Sequence, residues 1–367
     1  MIRTLLAVAL SVCAPWAAAQ IVIGQTAGFT GAEAASVKEN TEGAKLVFER
    51  VNAGGGINGQ KIELVSLDDQ RNPKLAIDNA MKLANQHNVL ALLLSSGTAP
   101  TLALKPLLEE HKLPLVAPAS GAMALRTPVQ PWIYAARAPY QREMEKAVQH
   151  LVSTGVTRVA LAHVDDPFGA DAAAGVLRAL DRSHQRAAFL LKFKGDRPDM
   201  SAIVAGVMKL DIQAVVILGP AAAVADATRQ LRAKGSRATV VTGSNNASPE
   251  FIKLLGDAGR GVIVTQVMPF ERSSTASIVK EAYDLAAAKG ISEVTPAMLE
   301  GFAGAKVLVE ALRRAGNKPT RQKLRDALDG MNKVDIGGLE VRYSPQDHGG
   351  LDYADLSIIG PDSRFHR

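Results

Sequence analysis

The sequence contains a single cysteine, Cys13, among its 367 residues. Cys13 lies in an N-terminal segment with the layout of a secretory signal, in which a positive charge precedes an apolar stretch over residues 5–12 and small residues lead to a cleavage site at Ala19. We expect residues 1–19 to be removed as a signal peptide. The mature chain would then contain no cysteine, which excludes disulfides, thiol catalysis and cysteine-based metal sites.

A lipoprotein signal is the alternative interpretation of this segment. Residues 10–13 read Leu-Ser-Val-Cys and resemble a lipobox. The valine directly before Cys13 and the short apolar stretch ahead of it are unfavourable for that interpretation.

The sequence also lacks a long hydrophobic run and a cluster of basic residues. The apolar stretch of the signal is far shorter than the roughly 20 residues that cross a bilayer, and the later apolar run at residues 89–94 has the length of a strand. Lys and Arg number 42 against 36 Asp and Glu, a net charge of +6 that is spread along the chain. We therefore expect no nucleic-acid partner.

The motifs of common enzymes are missing as well. No Walker loop or Gly-x-Ser-x-Gly elbow occurs, and the glycine cluster at residues 54–59 is typical of a helix end followed by a turn. His163 near Asp165 and Asp166 is the nearest approach to a metal cluster, but Asp166-Pro167 is also a good turn opener. The sequence predicts no cofactor, no metal and no catalytic residue.

The length suggests two domains, and the hydrophobic pattern predicts their class. Continuous apolar strands alternate with amphipathic helices, which indicates an α/β fold with buried parallel sheets. Asn72-Pro73 predicts a capped helix start, and further helices are predicted over residues 101–110 and 296–315. We expect two doubly wound, Rossmann-like lobes joined by a multi-strand hinge, with crossings near Arg137, Met268 and Val334 and with residues 126–139 as a crossover outside the core. The predicted lobes are residues 20–137 plus 269–333 and residues 138–268 plus 334–367.

Ligands of doubly wound sheets bind at the carboxyl ends of the strands, so function is expected in the loops there. The loop at residues 95–101 joins a predicted strand to a helix, and its hydroxyls with the free helix N–H groups could receive a carboxylate. Helix capping by the same hydroxyls is the alternative. Asp68-Asp69 also ends a strand, where a functional role competes with capping.

Several stretches together resemble the periplasmic substrate-binding proteins of branched-chain amino acid ABC importers. The resemblance extends over the whole mature chain and rests on the order and spacing of the matching stretches. They are residues 28–31, 51–59 with Asp68-Asp69 soon after, 96–98, 113–118, 166–169 and Gly243. The resemblance implies a type I periplasmic binding fold of two lobes.

The resemblance also implies a set of ligand-binding residues. Ser96, Gly97 and Thr98 match the loop that holds the ligand carboxylate, Ala119, Ser120 and Gly121 match a second ligand loop, and Phe29 lies in the first matching stretch. Phe168 stands where relatives often have a tyrosine from the other lobe. Asn245 stands where an acidic residue commonly grips the ligand ammonium, and a neutral amide cannot neutralise that charge.

The function implied is that of a monomeric periplasmic protein that closes two lobes on a small carboxylate-bearing solute and delivers it to an ABC permease. A branched-chain or other hydrophobic amino acid is the expected ligand. Because of Asn245, an aromatic or other non-amino carboxylic acid is an alternative. A ligand sensor of the same fold and an enzyme using the aspartates at positions 68, 69, 165 or 166 are further alternatives.

Overall fold

The computed structural model describes residues 20–195 and 198–367. The predicted signal peptide, its alternative lipobox and Cys13 lie outside the described residues. Within the described part of the chain, the helices are all too short or too polar to cross a membrane.

The first lobe is built on a parallel sheet of five strands in the order β2-β1-β3-β4-β5. Asn72 caps the second helix by accepting a hydrogen bond from Lys74 N at 2.9 Å, with Pro73 at the first helical position, as the sequence predicts. The elements are β1 (Ile21–Ala27), α1 (Ala34–Ala53), β2 (Ile62–Asp68), α2 (Pro73–Asn85), β3 (Ala91–Leu93), α3 (Thr98–Ala103), α4 (Lys105–Glu110), β4 (Leu115–Val116) and β5 (Ile133–Tyr134).

Two predictions for this lobe need correction. The single helix expected over residues 101–110 is two helices, because Pro106 lacks an N–H and its ring clashes with the preceding turn. Residues 126–139 are not a crossover outside the core, since they contain β5, and Tyr134 is fully buried. The Tyr134 hydroxyl donates to Asp329 Oδ1 at 2.6 Å, which ties this strand to a distant helix.

The second lobe has a sheet of seven strands in the order β15-β14-β10-β9-β8-β6-β7, in which β14 (Asp355–Ile359) runs antiparallel to both of its neighbours, β10 and the edge strand β15 (Phe365–His366). The short helix α9 (Pro249–Leu255) was not expected from the sequence. The elements of the second lobe up to this point of the chain are α5 (Tyr140–Ser153), β6 (Val159–Val164), α6 (Pro167–Arg182), β7 (Leu190–Phe193), α7 (Ser201–Lys209), β8 (Ala214–Leu218), α8 (Ala221–Ala233), β9 (Thr239–Thr242), α9 (Pro249–Leu255) and β10 (Ile263–Gln266).

The chain then returns to the first lobe. Helix α11 packs against α1 so closely that a Cβ built on Gly301 would lie 1.8 Å from Asn40 O. The returning elements are α10 (Ser277–Ala287), α11 (Pro296–Ala315), α12 (Arg321–Asp329), and an antiparallel sheet of β11 (Val334–Asp335), β12 (Glu340–Ser344) and β13 (Asp347–Gly350).

The last crossing lies further along the chain than the expected division between residues 333 and 334. Val341 and Tyr343 belong to the core of the first lobe, and the Tyr343 hydroxyl donates to Ala135 O at 2.6 Å. Only β14 (Asp355–Ile359) and β15 (Phe365–His366) join the second sheet. Residues 334–351 therefore pack with the first lobe, because their apolar side chains complete its core.

Candidate functional site

A cleft lies between the lobes at the carboxyl ends of both parallel sheets. Its walls come from the loops that follow β2, β3 and β4 in the first lobe and β6, β9 and β10 in the second, together with α1 and the start of α11. Strand-end loops of two sheets thus face one space, which is the expected ligand position in this class of fold.

The wall of the first lobe carries the predicted carboxylate loop. Gly97 has φ 78° and ψ 140°, a conformation that favours glycine, and α3 begins at Thr98. Ser96 Oγ accepts a hydrogen bond from Gly28 N at 2.9 Å, so that this hydroxyl also orients the loop after β1. Ser96, Gly97 and Thr98 line the cleft, as does Ala119.

Three of the expected ligand residues lie away from the cleft surface. Ser120 is buried behind Thr98, and the Gly121 carbonyl accepts a hydrogen bond from Tyr140 N at 3.0 Å. Phe29 N donates to Asp68 Oδ1 at 2.9 Å, so the loop that carries Phe29 is held at the edge of the sheet rather than in the cleft wall.

The aspartates at the end of β2 have structural partners. Asp68 Oδ2 accepts a hydrogen bond from the Thr30 hydroxyl at 2.7 Å. Asp69 is buried and accepts hydrogen bonds from Thr26 Oγ1 at 3.0 Å and Arg71 N at 2.9 Å. These contacts fit the capping interpretation of the pair, because the carboxylates hold the turns on either side of them.

Arg71 is a cleft residue that the sequence reasoning missed. Its backbone has φ 59°, and its guanidinium reaches the cleft, where Nη1 lies 3.1 Å from Glu33 Oε1. Arg71 Nε is buried without a hydrogen-bond partner among the described residues, 3.8 Å from the position of a Cβ built on Gly97. A guanidinium therefore lies beside the carboxylate loop. The sequence signal that could have identified Arg71 is its place two positions after Asp69, at the end of β2.

The second lobe contributes an aromatic ring and two amides. Phe168 follows β6, and its ring meets that of Tyr140 edge to face at 4.9 Å. Asn245 Nδ2 donates to Gly219 O at 3.1 Å, which fixes the amide so that Oδ1 is the end without a partner in the described structure. Gln266 is 3% exposed, and its Nε2 also has no partner there. Gln266 was missed because it ends a strand with no recognisable motif.

An ion-pair network at the first crossing borders the cleft. Arg137 is buried, and its guanidinium donates to Glu143 Oε1 at 2.6 Å, to Ser244 Oγ at 2.7 Å and to Glu300 Oε1 at 3.1 Å. Burial alone would lower the pKa of Arg137, but Glu300 and Glu143 outweigh it and raise that pKa above its usual value. Burial raises the pKa of Glu300, and Arg137 opposes part of that rise. The network joins both lobes and the crossing segment.

The described residues contain no group of three or more His, Asp or Glu side chains placed to hold a metal ion. His163, the nearest approach to such a cluster in the sequence, is 3% exposed, and its Nδ1 lies 2.8 Å from Val164 O. The ring therefore has a backbone partner at the end of β6.

Comparisons with known proteins agree with this architecture. The family model described as periplasmic binding protein matches residues 20–354. A Leu/Ile/Val-binding protein of Escherichia coli is 24% identical over 233 residues, and the match spans 63% of each chain. An amino acid binding protein of Pseudomonas aeruginosa is 35% identical over 104 residues, 28% of each chain.

Solved structures are similar over nearly the whole length. A substrate-binding periplasmic protein from Ralstonia solanacearum has 32% identity and a TM-score of 0.86, covering 94% of this chain and 98% of that one. A possible leucine/isoleucine/valine-binding protein from Rhodopirellula baltica has 23% identity and a TM-score of 0.89, covering 97% of this chain and 98% of that one. These matches confirm the predicted two-lobed fold, and the chain belongs to the periplasmic binding protein family.

Proposed function

We propose that this protein is the periplasmic solute-binding component of an ABC importer and that its lobes close on a small carboxylate-bearing ligand, a hydrophobic amino acid being the first candidate. The observation that carries the proposal is the cleft in which the Thr98 loop of one lobe and Phe168 of the other line a single space. A ligand in contact with both walls stabilises the closed arrangement of the lobes.

The carboxylate of the ligand binds on the wall of the first lobe. The hydroxyls of Ser96 and Thr98 supply neutral donors, and the Arg71 guanidinium beside them supplies a charged one. A charge-assisted hydrogen bond is roughly twice as strong as a neutral one, so Arg71 strengthens the attraction for an anion. Ser120 supports this site from behind through Thr98.

The rest of the ligand meets an apolar surface. Val37, Phe168, Val267, Met268 and Ala297 line the remainder of the cleft. Burial of an aliphatic or aromatic side chain against them contributes roughly 25 cal/mol for each Å² of apolar surface removed from water. This lining favours hydrophobic side chains over polar ones.

The proposed cellular role includes cleavage of residues 1–19, release as a monomer and docking of the closed form on a membrane permease. Mature protein from the periplasmic fraction should begin at Gln20 by N-terminal sequencing. A mature N-terminus at position 13 with attached lipid would favour the lipoprotein alternative.

Isothermal titration calorimetry with the L-amino acids and with matched aliphatic and aromatic acids tests the ligand class. Small-angle X-ray scattering of the same samples tests closure. We expect micromolar or tighter binding of a hydrophobic member and a smaller radius of gyration with that ligand. Absence of binding across both groups of compounds, or binding without compaction, would contradict the proposed function.

A further inference from the structure

The charged side chains of the cleft belong to the first lobe and the crossing segment. In the first lobe they are Glu33, Arg71 and Glu300, and in the crossing segment Arg137. The described cleft residues of the second lobe are all neutral, among them Tyr140, Phe168, Ser244, Asn245, Ala247 and Gln266. The two walls therefore differ in the kind of recognition that they offer to a charged ligand.

Two carboxylates share the single buried guanidinium of Arg137. Glu143 has further donors, because its Oε2 accepts from Ser244 N at 3.1 Å and from Thr265 Oγ1 at 2.5 Å. Glu300 Oε1 accepts from Arg137 at 3.1 Å, and the Glu300 carboxylate borders the cleft. With two carboxylates and one guanidinium, one negative charge is left without a matching cation, and burying such a charge costs free energy. This end of the cleft therefore favours a ligand that brings a positive charge.

Two unpartnered acceptors lie in the same cleft. Asn245 Oδ1 is the free end of an amide fixed by Gly219, and Asn40 is 7% exposed with an Oδ1 that lacks a partner in the described structure. Asn40 is also a neighbour of Glu300, since its carbonyl contacts the adjacent Gly301. An ammonium group offers three donors and no acceptor, which matches one carboxylate and two amide oxygens.

The opposite charge lies on the same lobe. Arg71 is placed beside the loop of Gly97 and Thr98, with its Nε unpartnered. Glu33 forms an ion pair with Arg71 Nη1 at 3.1 Å, whereas Arg71 Nε lies 3.8 Å from the position of a Cβ built on Gly97, so Nε is near the carboxylate loop. The first lobe thus presents a cationic and an anionic group to one ligand.

We propose that the first lobe alone recognises both charged ends of a zwitterionic ligand, the carboxylate at Arg71 and the loop of residues 96–98, and the ammonium at Glu300. Asn40 and, on closure, Asn245 complete the ammonium site with neutral oxygens. This inference rests on the proposed function and adds to it that Glu300, from α11, takes the role of the acidic ligand residue that position 245 lacks.

The test compares each amino acid with its matched acid that lacks the amino group. The probes are L-leucine with 4-methylpentanoate and L-phenylalanine with 3-phenylpropanoate, titrated calorimetrically into the mature wild-type protein at neutral pH. We expect the amino acid of the bound pair to bind about ten-fold or more tightly than its partner, since only the amino acid offers an ammonium to the Glu300 carboxylate and hydrogen bonds between charged groups are the stronger ones. Equal affinities within the pair would overturn the inference and leave the proposed function intact.

Substitutions assign that preference to Glu300. In E300Q the amide oxygen still accepts from Arg137, so the network keeps its hydrogen bond while the negative charge is removed. We expect E300Q to lose most of the discrimination within the pair, whereas E310Q, on the same helix in a surface pair with Arg314, retains it. R71K should retain more affinity for both compounds than R71Q, because it keeps the positive charge.

The outcomes separate the two proposals. Discrimination that persists in E300Q would overturn the assignment to Glu300, as would selective binding of the acids that lack an amino group. If all four probes fail to bind and the full amino acid panel fails as well, the proposed function itself is contradicted. Thermal melting of each variant establishes that it is folded. The comparison of each amino acid with its matched acid in the wild-type protein decides whether the ligand ammonium is required, and it needs no variant.

Discussion

Thr98 Oγ1 lies 3.0 Å from Ser120 Oγ, so the hydroxyl at the cleft surface is positioned by a second hydroxyl buried behind it. The two loops follow neighbouring strands, and Ser96 and Ala119 form a parallel bridge between them. The cleft wall is therefore a continuation of the sheet rather than a free loop. Its rigidity favours ligand binding, because little backbone has to be ordered when the ligand arrives.

Thr98→Ala should lower ligand affinity about ten-fold, since it removes a donor to a charged carboxylate. Thr101→Ala is the matched control on the same helix, because the Thr101 hydroxyl bonds to Ser95 at 3.1 Å and Thr101 is fully buried. Calorimetric titration of the best ligand measures both. Unchanged affinity in Thr98→Ala would remove this hydroxyl from the site.

Glu143→Ala should lower the free energy of unfolding by about 3–5 kcal/mol, because it leaves the buried Arg137 with one carboxylate fewer and strands the donors of Ser244 and Thr265. Glu145→Ala removes a carboxylate from the same helix whose ion pairs among the described residues are with the surface side chains of Arg142 and Arg182, and it should cost less than about 1 kcal/mol. Urea denaturation followed by circular dichroism gives both values. Similar losses in the two variants would show that the buried network contributes no more than a surface pair.

The stability of the protein should depend on pH through Glu39. Burial raises the pKa of Glu39 above its ordinary value of 4.5, the hydrogen bond from Thr295 opposes the rise, and Glu250 and Glu293 add to it. Between the ordinary and the raised pKa the folded state binds more protons than the unfolded state, so stability falls as the pH rises through that window.

In E39Q this loss is absent, and Gln can still accept the hydrogen bond from Thr295. We expect wild-type protein to become progressively less stable than E39Q as the pH rises from about 4.5, with the difference constant above the raised pKa. Thermal melting across a pH series measures it. Parallel profiles for the two proteins would contradict the role of Glu39.

Gly301→Ala should destabilise the fold although alanine is the better helix former. An added Cβ would lie 1.8 Å from Asn40 O, so α1 and α11 must separate, and overpacking of this kind costs about 1–3 kcal/mol. Gly330→Ala is the control, because its Cβ would meet nothing closer than 3.5 Å and its φ of −83° suits alanine. Urea unfolding midpoints should fall for the first variant and stay nearly unchanged for the second.

Local sequence signals predicted much of the fold. A capping residue followed by proline marks α2 and α11, and the predicted bounds at residues 296–315 are those of α11. Ser248-Pro249 gives the same signal for α9, where the Ser248 hydroxyl oxygen accepts a hydrogen bond from Phe251 N at 3.2 Å, but seven residues are too few for a helical pattern to be recognised. Pro106 likewise divides a helix that periodicity alone joins.

The candidate site was predictable where it follows strand ends and unpredictable where helix packing builds it. Ser96, Thr98, Phe168 and Asn245 were expected from the strand-end rule and the resemblance, and they line the cleft. Glu300 lies inside a long helix and meets Arg137 across 163 positions of sequence. No local pattern marks such a contact, because it depends on which turn of α11 faces the crossing segment.

The close packing of α1 on α11 has a consequence for the timing of folding. Thr295 Oγ1 donates to Glu39 Oε2 at 2.8 Å across 256 positions of sequence. A ribosome that adds about 5–20 residues per second completes α1 more than about ten seconds before it reaches α11. Throughout that interval the apolar face of α1 lacks its main partner, so the first lobe acquires its packed core only when the chain is nearly finished. A nascent chain that stays unfolded until then can still be threaded through a membrane, which suits the export proposed for this protein.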